Sequence, residues 1–317
     1  MQAGRIFLAG WRLPVEVIAM GMVEKVRKGK MKFRPVSDYS RPKVGGVNSR
    51  IALDPDEFST VKEAFALLRP GYCMVKVDLE NAYMSLGIVS QYWSSQCFEY
   101  DGVRYMGTRP PFGNRALSGI FMRFTRAIVA WMQAHGVQCV GYLDDFFCVL
   151  SRTAAEAEEN MMLLVEFVSF LGFSVNMAKC EGPARRMEFL GILLSTDGEV
   201  CTAAIDSDRV KDVLTRANQL RAQATRGMVR RRALESLMGL LAFCSQVVCG
   251  LSLDVARGER AWISILHARR PLVLGGLVEE VEDLVVDLEV VEDLLVELEV
   301  VVDLEVVESF SLARAPA

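Results

Sequence analysis

Residues 140 to 150 read Val-Gly-Tyr-Leu-Asp-Asp-Phe-Phe-Cys-Val-Leu, two apolar runs on either side of adjacent carboxylates. Runs of this length, bounded by a tight polar break, predict a β-hairpin with Asp144 and Asp145 at its turn and with strands buried on both faces. Core packing has no use for two acids there. Side by side they repel, and a divalent cation is their natural compensation, because carboxylate oxygens are the ligands Mg²⁺ prefers. An Asp-Asp pair by itself is more often a solvated turn, so the metal reading needs a further carboxylate in a matching context.

That carboxylate stands upstream in Met74-Val-Lys-Val-Asp-Leu-Glu-Asn-Ala-Tyr83, where a short β-rich run from Tyr72 ends on Asp78 and passes into a segment of helical character. On neighbouring strands, Asp78 and Asp144 converge at one end of a sheet. Two metal ions about 3.5 to 4 Å apart, clamping the attacking and leaving oxygens of a phosphoryl transfer, need that arrangement.

With these two segments in order, the chain resembles the fingers, palm and part of the thumb of a reverse transcriptase, and is most similar to those of retrotransposons. The resemblance is collinear from about Lys25 to Ser195 and thins out towards Leu266. It implies an α/β (α+β) right-hand fold of fingers, palm and thumb with a small mixed or antiparallel palm sheet. Residues 1–195 would be fingers and palm, 196–275 a helical thumb or connection, and 276–317 an acidic low-complexity tail.

The implied activity is RNA-directed DNA synthesis, extending a DNA primer on an RNA or DNA template with dNTPs. Asp78 and Asp144 would bridge two Mg²⁺ ions, with Mn²⁺ as a substitute, and Asp145 would support them. The two ions would serve the primer 3′-hydroxyl and the triphosphate.

Further positions carry the resemblance. Residues 1–50 hold eleven Lys or Arg against three acids, concentrated between Lys25 and Arg34, with Lys28-Gly29-Lys30 as the turn of a basic hairpin. Lysines there also guard an edge strand against aggregation. In the family this hairpin folds over the incoming nucleotide, and Arg34 in Lys32-Phe-Arg-Pro-Val-Ser-Asp38 occupies the position whose guanidinium grips the triphosphate. Tyr83 stands where an aromatic ring lies under the deoxyribose and excludes a 2′-hydroxyl. The plainer role for the same ring is packing helix onto sheet, and the two are compatible.

Arg109-Pro-Pro-Phe-Gly-Asn-Arg115 matches the family's motif B. Phe112 and Gly113 would line the nucleotide site, glycine allowing close backbone approach. The motif departs from the usual form at Pro110 and at Leu117-Ser118. Lys179 falls at motif D, where a lysine serves the leaving pyrophosphate as proton donor or electrostatic stabiliser; a surface lysine is the equal alternative. Glu188 to Ser195 resembles the primer-grip hairpin.

Pattern alone supplies the remaining elements. Thr60-Val-Lys-Glu63 is a capping box opening a helix to about Leu68, and Asp101-Gly102 is a hairpin turn. A helix from about Ala116 to Ala134 carries Ile120, Phe121, Phe124, Ile128 and Trp131 as its apolar face, and Thr153-Ala-Ala-Glu156 opens another to about Leu171. From Asp206 to Leu266 the pattern is helical, with eight basic residues between Arg209 and Arg232. Such a run is a solvated face or a sequence-independent grip on phosphates.

The formal charge of −4 conceals an asymmetry. Thirteen of the 40 acidic residues lie in 277–308, which has no Lys or Arg, so the remainder sets 27 acids against all 36 basic residues. That basic body suits a nucleic-acid partner. Residues 281–308 repeat every ten residues as VEDLVVDLEV, VEDLLVELEV, VVDLEVVE, too regular and too rich in Val to assign as disorder, helix or strand. The tail would repel nucleic acid.

Eight cysteines without a C-x-x-C pair, and only His135 and His267, argue against a zinc module. Cys139 and Cys148, inside apolar segments, read as reduced core residues of an intracellular, cytoplasmic or nuclear protein. No secretory signal is recognisable, and the uncharged run Ser236–Leu253 is interrupted by polar residues, as in a buried helix rather than a membrane span. A decayed or truncated retroelement fragment, binding primer-template without polymerising, is the rival reading. RNase H and integrase signatures are lacking. Template-independent transfer fits the basic fingers and motif B less well, and Tyr83 disfavours an RNA product. Oligomeric state leaves no trace in the sequence.

Overall fold

The computed structural model describes residues 6–8, 17–27, 30–42, 44–52, 58–224, 226 and 230–247. The acidic tail and Lys28 lie outside the described residues. Along the chain run β1 (Ile6–Leu8), β2 (Ala19–Arg27), β3 (Lys30–Asp38), α1 (Val47–Arg50), α2 (Val61–Leu67), β4 (Cys73–Glu80), α3 (Ala82–Ser85), β5 (Cys97–Tyr100) and β6 (Val103–Gly107). They are followed by α4 (Leu117–Ala134), β7 (Gln138–Tyr142), β8 (Asp145–Ser151), α5 (Ala154–Phe170), β9 (Ser174–Val175), β10 (Glu181–Ala184), β11 (Arg186–Phe189), β12 (Ile192–Ser195), β13 (Thr202–Ile205), α6 (Ser207–Ala224) and α7 (Arg231–Cys244). This is the mixed helix and sheet fold that the sequence predicts.

Two compact units emerge. Among the described residues, one gathers those up to Ser59, Val75–Cys148 and Ala155–Glu181; the other gathers Thr60–Met74, Val149–Ala154 and those from Gly182 onwards. In the first, the sheet order β4-β8-β7 sets the predicted catalytic hairpin beside the strand of Asp78, and β9 pairs antiparallel with the end of β4, Leu79 opposite Val175. Phe146, Phe147, Cys148 and Val149 are all buried, so β8 is covered on both faces as its uninterrupted apolar run requires. The basic hairpin β2-β3 is in register from Ala19 opposite Asp38 to Arg27 opposite Lys30. Asp101 and Gly102 both adopt positive φ between paired Tyr100 and Val103, the tight turn that Asp-Gly favours.

Helix α4 corrects one sequence expectation. Its buried face is Leu117, Phe121, Met122, Thr125, Ile128 and Met132, whereas Ile120 and Phe124 are exposed. A polar Thr at the centre of the buried face shifts the apparent apolar stripe, because the hydroxyl is in the core to make a hydrogen bond and not to contribute apolar area.

In the second unit Thr60 Oγ1 accepts a hydrogen bond from the Glu63 N–H at 3.3 Å, as the capping box predicts. Strands β11-β12-β13 form an antiparallel sheet. Leu220, Leu234, Leu237, Leu241 and Cys244 are fully buried between α6 and α7. No helix among the described residues is long and apolar enough to cross a membrane.

Candidate active site

Asp78 sits on β4 after a run buried on both faces except at Lys76, and the strand continues two residues beyond it. Asp144 and Leu143 form the two-residue turn between β7 and β8. The Leu79 N–H donates to the Asp144 carbonyl at 3.0 Å, which ties the end of β4 to that turn. Asp78 and Asp144, 66 positions apart in sequence, are thereby brought to one end of one sheet.

The turn is held in an uncommon shape. Leu143 has φ 53°, a left-handed conformation that costs a branched residue of this kind about 1 kcal/mol or more. Helix α4 compensates from beneath. Thr125 Oγ1 donates to the Leu143 carbonyl at 2.8 Å, and the Leu143 N–H lies 3.2 Å from the Met122 sulfur. Close approach of helix and hairpin depends on Gly141, where a Cβ would stand 2.4 Å from Thr125 Cγ2 and 3.0 Å from Val129 Cγ2.

The third carboxylate reports the charge of the cluster. Asp145, the first residue of β8, has its pKa pushed up to about 6, by burial first and then by the negative charges of Asp144 and Asp78, with Lys76 and Lys179 opposing. Three carboxylates thus feel one another. Lys76 is committed to Glu181 at 2.7 Å, and Lys179 Nζ reaches both oxygens of Asp78, at 2.7 and 2.8 Å. Among the described residues no three His, Cys, Asp or Glu stand at metal-binding spacing. The donor chemistry nonetheless fits a hard divalent ion, being carboxylate alone.

Tyr83 lies in the short α3 and packs its ring 5.5 Å from Phe112 and edge-on at 5.4 Å from Phe121. Burial, then the charges of Asp144 and Tyr142, raise its phenol above the usual value. Phe112 is 42% exposed beside it. Gly113 has φ 112°, and a Cβ there would lie 1.9 Å from the Ser37 carbonyl. Its need for glycine therefore arises inside the chain: the loop docks against β3, where the Ser37 N–H donates to the Phe112 carbonyl at 3.0 Å. Arg34 lies three residues earlier on that strand, opposite Val23, and Lys30 begins it. Asp78, Asp144, Asp145, Lys179, Tyr83, Phe112 and Gly113 thus all belong to the first unit, together with the strand of Arg34 and Lys30.

Several residues on which this geometry depends escape sequence reasoning. Asn48 donates to the Gly113 carbonyl at 2.9 Å and accepts from the Arg115 N–H at 3.0 Å, binding the motif B loop to α1. Asn176 donates its N–H to the Asp78 carbonyl at 2.8 Å and accepts from Lys179 N–H at 2.9 Å, which carries the loop of Lys179 back to β4. Lys76 alone had a readable signal: two residues before Asp78, it shares the same face of the strand.

A family model described as reverse transcriptase (RNA-dependent DNA polymerase) matches residues 23–194. None of the curated proteins compared matches the chain. Among solved structures, the foamy viral protease-reverse transcriptase in complex with double-stranded DNA aligns with TM-score 0.64 at 18% identity, over 90% of this chain and 54% of that one. The same viral enzyme in complex with RNA/DNA hybrid aligns with TM-score 0.61 at 18% identity, over 90% of this chain and 35% of that one. At such identity the likeness establishes the fold, and this chain spans about half or less of the viral enzymes' length. The family-model match covers more than half of the sequence, and the elements it spans are those that bring the carboxylates together; the chain belongs to the reverse transcriptase (RNA-dependent DNA polymerase) family.

Proposed function

We propose that this protein extends a DNA primer on an RNA or DNA template by nucleotidyl transfer from dNTPs, and that it derives from a retrotransposon-type element. The observation that supports the reading is the junction of β4 with the Leu143-Asp144 turn, where the hydrogen bond from the Leu79 N–H to the Asp144 carbonyl ties the strand of Asp78 to the turn of Asp144. Asp78 and Asp144 are the residues that would hold two divalent ions, Mg²⁺ by preference, with Asp145 in support. Bound there, such ions supply Lewis-acid activation and neutralise charge on the phosphates.

The chain's own residues do the positioning. Tyr83, fixed between Phe112 and Phe121, closes the space beside the sugar to a 2′-hydroxyl. The strand of Arg34 is tied to the motif B loop through Ser37, and Arg34 and Lys30 would serve the triphosphate. The basic body accounts for primer-template as partner. The proposed layout is fingers and palm over 1–195, thumb over 196–275 and an appended acidic tail over 276–317. A second reading, a retroelement fragment that binds primer-template without polymerising, draws on the motif B departures at Pro110 and Leu117-Ser118.

Primer extension on an RNA template with dNTPs and Mg²⁺ tests the proposal, with Asp144→Asn and duplex binding measured in parallel. Extension should fall by on the order of 10³-fold or more in the variant while binding persists. Binding without extension by the unaltered chain, in Mg²⁺ and in Mn²⁺, decides for the fragment.

A further inference from the structure

The ammonium of Lys179 lies almost equidistant from the two oxygens of Asp78, at 2.7 and 2.8 Å. Both are the atoms through which Asp78 would hold a metal. We propose that Lys179 is a resident counter-cation of the catalytic carboxylates, which a divalent ion must displace from Asp78 before the site is loaded. The proposal rests on the metal reading above and adds to it a competition built into the fold.

Three observations support the exchange. First, the carboxylate of Asp78 is nine-tenths buried among like charges, so in the metal-free protein some cation must neutralise it, and Lys76 is engaged with Glu181. Second, the backbone around Lys179 is pinned. The Asn176 N–H donates to the Asp78 carbonyl, and the Lys179 and Cys180 N–H groups donate to the Asn176 carbonyl at 2.9 and 3.2 Å, which keeps the lysine's Cα within reach of Asp78. Third, the side chain itself is 46% exposed, so it can swing into solvent at little packing cost. A tethered backbone with a free stem makes a reversible plug.

The strength of the effect follows from competition. A pair that is formed about nine-tenths of the time raises the apparent dissociation constant of the metal about tenfold. General loss of positive charge would also favour metal binding, but Lys76→Gln removes an equal charge from the cluster while keeping the lysine that pairs with Asp78. The two effects are therefore separable.

The test is a Mn²⁺ titration of the full chain, without nucleotide or nucleic acid, read by calorimetry or by Mn²⁺ paramagnetic resonance, with circular dichroism verifying the fold of each variant. Lys179→Gln should bind Mn²⁺ about tenfold more tightly than the unaltered chain, Lys76→Gln should gain much less, and Asp78→Asn should lose the site. Amine labelling followed by mass spectrometry gives a second readout: Lys179 in the unaltered chain should become more reactive as Mn²⁺ saturates. Equal gains in the two lysine variants, no gain in Lys179→Gln, or labelling indifferent to Mn²⁺ would overturn the plug while Asp78→Asn still identifies the metal site. Mn²⁺ binding that Asp78→Asn leaves unchanged, or no saturable binding even in Lys179→Gln, would sink the metal reading and the plug with it.

Discussion

Asp145 carries the pH dependence of the site. Its carboxyl is raised from the ordinary value to about 6, so the folded state binds this proton more tightly than the unfolded chain does. The sign follows directly: between about pH 4 and pH 6 the metal-free protein loses stability as pH rises, and above pH 6 the full penalty of the ionised group is present. Asp145→Asn should flatten that slope and raise the urea midpoint above pH 6, which denaturation series at pH 4.5 to 7.5 would reveal; an unchanged slope would assign the shift to some other group. Thr125 works at the same scale through hydrogen bonding. It is fully buried, and its hydroxyl meets the strained Leu143 carbonyl. Thr125→Val, almost isosteric, should cost about 1 to 3 kcal/mol by leaving that carbonyl without its partner, and should slow extension more than it weakens duplex binding.

At the scale of elements, the site depends on how closely α4 approaches β7. Gly141 has no φ requirement, yet its Cα faces Thr125 and Val129 with no room for a methyl group. Gly141→Ala should destabilise by about 1 to 3 kcal/mol through overpacking, lowering the thermal midpoint, and should displace the turn that holds Asp144. A variant as stable as the parent would show that α4 can retreat without cost. The hairpins illustrate what local sequence encodes well. Asp101-Gly102 announces its turn, and the β2-β3 pairing follows from two strand-like runs separated by Lys28-Gly29. The Leu143-Asp144 turn is different, because Leu143 at positive φ contradicts local preference and is sustained by contacts from a helix about twenty residues upstream.

At the scale of the whole molecule, charge is divided unevenly along the chain. The basic residues of α6 are partly spent within their own unit: Arg216 pairs with Asp212, Lys211 with Asp208, and Arg209 lies over the Phe243 ring at 4.2 Å. Attraction to nucleic acid would therefore draw on the summed charge of the chain outside 277–308 more than on one helix. Removing residues 276–317 deletes thirteen acids and one Arg. The shortened chain should bind a primer-template duplex more tightly at low salt, with the advantage shrinking as ionic strength rises, since long-range repulsion is screened first. Fluorescence anisotropy across a salt series would measure it, and equal affinities at every salt would show that the tail does not act on the binding surface.

The sequence by itself determined the β7-β8 hairpin, the strand of Asp78, the capping box at Thr60 and the order of elements, because each rests on local periodicity and on turn chemistry that the residues carry with them. Tertiary structure alone decided what surrounds them. Asn48, Asn176 and Thr125 act through backbone groups distant in sequence, and no local pattern announces such partners. The true buried face of α4, the intramolecular reason for Gly113 and the seat of Lys179 on Asp78 belong with these. The physical reason is the same throughout: periodicity records which face of an element is apolar, whereas a long-range hydrogen bond or ion pair exists only once two elements have been brought to a definite distance.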